Sequence, residues 1–124
     1  LKSSGLFAER KPKIKSGDIA LLTRQISTMI KAGVPIVKTL GIISDSSDNA
    51  TIKDLVLDLK NEIESGNSFS KSLEKHPQYF DELYCNLVHS AEQSGTLEEI
   101  FDAIAVYKEK TEIIREGRFF FKTG

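Results

Sequence analysis

Ala91-Glu92-Gln93-Ser94-Gly95-Thr96-Leu97 reads as one helix that stops at a glycine so that the next can begin. Gly95 stands where a helix C-terminus favours a left-handed residue. Thr96 with Glu99 has the spacing of a capping box for the following helix. Such a joint needs only the glycine and the threonine, so backbone geometry leaves Glu92 unexplained. An anion in the last turn of a helix faces the negative end of its dipole and calls for a compensating group. Arg24 is the expected partner, because its guanidinium can hold a carboxylate through two parallel hydrogen bonds.

The same punctuation occurs at Ala32-Gly33-Val34-Pro35 and at Ser65-Gly66-Asn67-Ser68. Pro35 suits a first helical position and Ser68 an N-cap. Between these joints the apolar residues recur at helical spacing. Ile19, Leu22, Ile26, Met29 and Ile30 mark a first helix opened by Ser16 or Asp18; Ile36, Leu40 and Ile43 mark a second, ending in the polar run 44–49. Ile52, Leu55, Val56, Leu59 and Ile63 form the clearest stripe. A short fourth helix carries Phe69 and Leu73 and closes at His76-Pro77. Asp81 opens a fifth, with Leu83, Tyr84, Leu87, Val88 and Ala91 facing inward. A sixth runs from Thr96 to about Gly117 with Leu97, Ile100, Phe101, Ile104 and Tyr107, extended by Thr111 and Ile114. No stretch alternates with period two. The expected fold is all-α, a compact antiparallel bundle of about six helices.

An offset of 33 residues aligns Gly33 to Leu40 with Gly66 to Leu73, as in a helical-hairpin repeat. Only two copies exist, and the third glycine follows after 29 residues, which weakens a solenoid but keeps a helical-repeat adaptor as an alternative.

With 124 residues, 40% of them hydrophobic and 28% charged, the chain has the make-up of one globular domain. Its single cysteine, Cys85, has no internal partner for a disulfide, which favours a reducing compartment. The start at Leu1 and the end Phe119-Phe120-Phe121-Lys122-Thr123-Gly124 suggest a piece of a longer protein with a truncated or altered tail at 118–124. No apolar run reaches the roughly 20 residues of a membrane span. The net charge is −1, yet residues 1–31 hold seven Lys or Arg against Glu9 and Asp18, leaving −6 for the remainder. Residues 1–16 form a basic arm with Arg10, Lys11, Lys13 and Lys15, either a solvated linker or a contact for anionic lipid or an acidic partner. Nucleic acid is not expected, since the domain is not basic overall and the arm has no interleaved aromatics.

Several motifs fail as chemistry. Counting back from Lys38-Thr39, a phosphate-binding loop would need glycines at Ala32 and Val37, and Pro35 removes a backbone donor. No nucleotide and no other cofactor is expected. Cys85, His89 and Glu92 share a helix face at i, i+4 and i+7, which leaves a thiol or metal enzyme as a further alternative. Glu98, Glu99 and Asp102 complement the dipole at the start of the sixth helix; a hard cation shared by them with Glu92 is the sharper reading.

Taken together and in order, Lys13-Ile14-Lys15, Asp18-Ile19-Ala20, Thr23-Arg24-Gln25, Ala32-Gly33-Val34-Pro35, Gly66-Asn67-Ser68-Phe69-Ser70, Leu73, His76-Pro77, Phe80 and Glu92 to Leu97 resemble the type II secretion system F domain over residues 13–116. That family occurs in polytopic inner-membrane platform proteins of type II secretion systems and type IV pili. The resemblance implies a six-helix cytoplasmic domain at 17–117, present twice in the full protein with a membrane helix after each copy. The basic arm and the Thr-Arg-Gln helix are similar to the first copy. It further implies a non-enzymatic part that couples an assembly ATPase to pilin-like subunits and other inner-membrane assembly proteins. Arg24, Gln25, Gly33, Pro35, Gly66, Ser70, Phe80, Glu92 and Gly95 are its motif or interface residues. Two features depart from the pattern: Ala91 stands where the family often has glycine before the glutamate, and the tail does not read as entry to a membrane helix. A homodimer through Leu83, Tyr84 or Ile114 is one expected arrangement.

Overall fold

The structure, a computed structural model, describes residues 12–117. Arg10 and Lys11 of the arm and the tail 118–124 lie outside the described residues. Six helices follow one another: α1 Ser16–Lys31, α2 Ile36–Ser46, α3 Ala50–Glu64, α4 Phe69–Glu74, α5 Glu82–Ser94 and α6 Leu97–Arg115. Among the described residues there is no strand.

The helix starts follow local chemistry. Asp18 accepts the Lys15 N–H at 2.8 Å, Asn49 accepts from Thr51 and Ile52 at 2.9 and 3.1 Å, and Asp81 accepts from Tyr84 at 2.9 Å. Two starts differ from expectation. Pro35 is the N-cap of α2 with an extended ψ of 152°, one residue outside the first helical position. Thr96 forms no capping box, because its N–H is spent on Ala91 O at 3.0 Å in closing α5. Its ψ of 32° is not that of a capping residue, and its hydroxyl pairs with Ser94 at 2.8 Å instead.

The helix ends repeat one construction. Gly95 adopts φ 72°, which the chain needs so that Thr96 N–H can turn back onto the carbonyl five residues earlier. Val34 N–H to Met29 O and Asn67 N–H to Glu62 O, both 3.0 Å, are the same bond in the joints of Gly33 and Gly66. The 33-residue repeat is therefore the repetition of a joint. It does not continue into an open stack, because α6 packs back along α1 and closes the bundle. Each helix packs against its sequence neighbours, and the ion pairs linking residue 24 to 102 and 109 and residue 31 to 102 show α1 and α6 to be antiparallel. The bonds from Phe69 and Ser70 to Glu92 bring the Gly66 and Gly95 joints to the same end.

The core is built from Leu40, Val56, Leu59, Val88 and Phe101, all fully buried. Phe69 stacks on Phe101 with ring centroids 5.4 Å apart, and Tyr84 meets Phe80 and Phe101 edge-on. The stripes of α1 and α3 point inward as read. On α5 the inward stripe is Tyr84, Cys85, Val88 and Ala91, so Leu83 is 58% exposed, whereas Tyr84, expected on a dimer surface, is only 2% exposed. On α6 Phe101, Ile104 and Ala105 face the core, which turns Tyr107 and Ile114, seven residues apart, to solvent. No helix among the described residues is long and apolar enough to cross a membrane.

Candidate functional site

The motif residues assemble into joints between helices. Glu92, half-buried near the end of α5, lies against the start of α4. Its Oε2 accepts the Phe69 N–H at 2.7 Å; its Oε1 accepts the Ser70 N–H at 3.3 Å and the Ser70 hydroxyl at 2.8 Å. Ser68 Oγ accepts the next N–H, that of Lys71, at 3.1 Å. The first three N–H groups of α4, which no helical carbonyl can satisfy, are thus all met by side chains. A six-residue helix is too short to persist alone, and this carboxylate docks it. The compensating group expected for Glu92 exists, but it is the positive end of the α4 dipole and not Arg24.

Arg24 turns to α6. Its Nε and Nη2 donate to the two oxygens of Glu109 at 2.7 and 2.9 Å, and its Nη1 donates to Asp102 at 3.1 Å. Lys31 adds a 3.4 Å bond to the same Asp102 oxygen. Hydrogen bonding by Arg24 holds both carboxyls below the usual carboxylate range, with Lys31 contributing at Asp102, and the carboxylates in turn raise the guanidinium. Pairing with Arg24 takes Asp102 out of the acidic set imagined with Glu92, Glu98 and Glu99. Among the described residues no group of three His, Cys, Asp or Glu side chains gathers as metal ligands. Glu109 was not singled out from sequence, although its spacing of seven from Asp102 puts both on one face of α6.

Cys85 and His89 do not converge. Cys85 is buried with its Sγ 3.7 Å from Phe80 O, and burial pushes its thiol up, away from the reactive thiolate; His89 is exposed. Phe80 is a fully buried core ring, whereas Gln25 is half-buried on α1. Thr23, on the other side of Arg24, forms a link not anticipated from sequence. Its hydroxyl donates to Ile19 O at 2.7 Å, so the 2.7 Å contact with Tyr84 has the tyrosine as donor. Burial raises the Tyr84 hydroxyl well above its ordinary pKa. Thr23 and Arg24 thereby tie α1 to α5 and α6 in succession. Chemically these contacts hold helices together.

These joints lie within a stretch that matches a known family. The family profile described as Type II secretion system (T2SS), protein F matches residues 22–119. The chain belongs to this family. It is 54% identical over 103 residues to the type IV pilus assembly protein PilC of Pseudomonas aeruginosa, covering 83% of this chain and 28% of that protein. It is 47% identical over 114 residues to the type IV pilus assembly protein TapC of Aeromonas hydrophila, covering 92% and 28%. Against the type II secretion system protein F of Vibrio cholerae the identity is 30% over 102 residues, covering 82% and 25%. The chain spans about a quarter of the length of these relatives.

Proposed function

We propose that residues 17–117 form a cytoplasmic domain of a bacterial inner-membrane platform protein, preceded by a basic arm, which couples an assembly ATPase to the insertion of pilin-like subunits into a growing fibre. The higher identity to pilus assembly proteins than to a secretion protein favours a type IV pilus as the machine. The observation that carries the reading is the use of the family motifs. Glu92, Ser70, Arg24 and Gly95 are spent on joints between helices, which suits a part that passes on movement as one body. Such a part needs no cofactor and no chemistry of its own. The buried Cys85 has a packing role.

The test uses the full-length protein in its membrane. Affinity purification is expected to co-isolate the assembly ATPase, and removal of residues 17–117 is expected to abolish this. Equal recovery of the ATPase without the domain would overturn the coupling role.

A further inference from the structure

Between α5 and α6 runs an open apolar groove of about 360 Å³, lined by Leu83, Leu87, Ile100, Ile104 and Tyr107 over the ring of Tyr84. Leu83 and Tyr107 are exposed, and no part of the described chain covers them. Two charged residues also line the groove, Asp81 and Lys108. Asp81 is already compensated, since it caps α5 through the Tyr84 N–H at the positive end of the helix. Lys108 is not. Its Nζ lies 5.7 Å from the centroid of the Tyr84 ring, and none of the ion pairs among the described residues includes it. Lys110, exposed on the same helix, also has no acidic partner in those pairs. An occupant that covered Lys108 without neutralising it would strand a desolvated charge.

We infer that this groove receives the apolar ridge of an acidic amphipathic helix from a partner protein, with a carboxylate of that helix meeting Lys108. The volume fits side chains projecting from a ridge and not a whole helix, whose cylinder is about 10 Å across. The apolar floor supplies affinity, and Lys108 sets the sign of the partner and its register. The inference rests on reading the domain as a docking part of an assembly. Synthetic peptides replace the natural partner in its test, so failure here leaves the ATPase experiment untouched.

Two helical peptides serve as probes. Both carry leucines at i, i+3, i+4 and i+7; one has glutamates flanking this stripe and the other has lysines at those positions. Binding is read by fluorescence anisotropy at low salt and mapped by amide NMR shifts on this chain. The acidic peptide is expected to saturate about tenfold or more tightly than the basic one, with shifts centred on Leu83, Leu87, Ile100 and Tyr107. Lys108→Glu is expected to reverse the preference, and Tyr107→Ala to weaken both peptides. Equal affinity for both peptides, no saturable binding, or shifts away from the groove would overturn the inference. Groove signals that move with protein concentration alone would also overturn it, in favour of a second copy of the chain.

Discussion

At the scale of single residues, Glu92 ties α5 to the start of α4. It accepts three hydrogen bonds from α4. Glu92→Ala leaves two backbone N–H groups of that helix without their partner, a loss of about 1–3 kcal/mol. Glu92→Gln keeps one acceptor oxygen and is expected to fall between. Double-mutant cycles in chemical denaturation separate the joints: Glu92→Ala with Ser70→Ala should show coupling, whereas Glu92→Ala with Arg24→Ala should show none beyond error. Significant coupling in the second cycle would contradict the geometry. Tyr84 and Thr23 offer an asymmetric counterpart. Thr23→Val leaves the buried tyrosine hydroxyl without an acceptor and should cost more than Tyr84→Phe, and the double variant should recover part of the loss, as read by thermal melts.

At the scale of elements, α1 and α6 are joined across their facing sides by Arg24, Glu109, Asp102 and Lys31. Both carboxyls are lowered in the folded state, so their contribution is present above their unfolded pKa values and is lost as pH falls through the lower native ones. Stability measured from pH 6 downward should therefore drop in the acid range, and Arg24→Ala should flatten that drop. An unchanged slope would mean that the pair is screened away by solvent. The helices themselves were legible in the sequence, because stripes such as Leu55-Val56-Leu59 and the breaks at Gly33, Gly66 and Gly95 are local signals. What a side chain meets across the bundle was not. Arg24 could be matched with any carboxylate until the ring order set α1 against α6. Thr96 likewise had capping-box spacing, but local spacing does not tell whether its N–H is already committed to the preceding helix. At Gly95, where an added Cβ meets nothing within 4 Å, Gly95→Ala should cost about 1–2 kcal/mol from the left-handed backbone alone. Gly95→Asn should cost less, in the same denaturation assay.

For the whole molecule, closure of the ring makes the six helices interdependent. Each packs on two neighbours, and the core residues Leu40, Leu59, Val88 and Phe101 come from four of the helices. The short α4 depends on α5 through Glu92, and Tyr84 of α5 reaches α1 through Thr23, so no helix can leave without exposing part of the shared core. Such a closed ring favours cooperative behaviour, since each helix is held by the others. Unfolding is accordingly expected to be two-state. The chain has no tryptophan and three tyrosines, one of them the core residue Tyr84, so near-ultraviolet circular dichroism reports on packing and the far-ultraviolet signal on helix. The two denaturation curves should coincide. Leu59→Ala, at a fully buried site on α3, should lower stability by about 2–5 kcal/mol. It should shift the midpoint of both curves together with an unchanged denaturant slope, since the loss of one core side chain alters stability and not the surface exposed on unfolding. If the curves separated, with tyrosine packing lost while helix remained, the bundle would consist of independently unfolding parts.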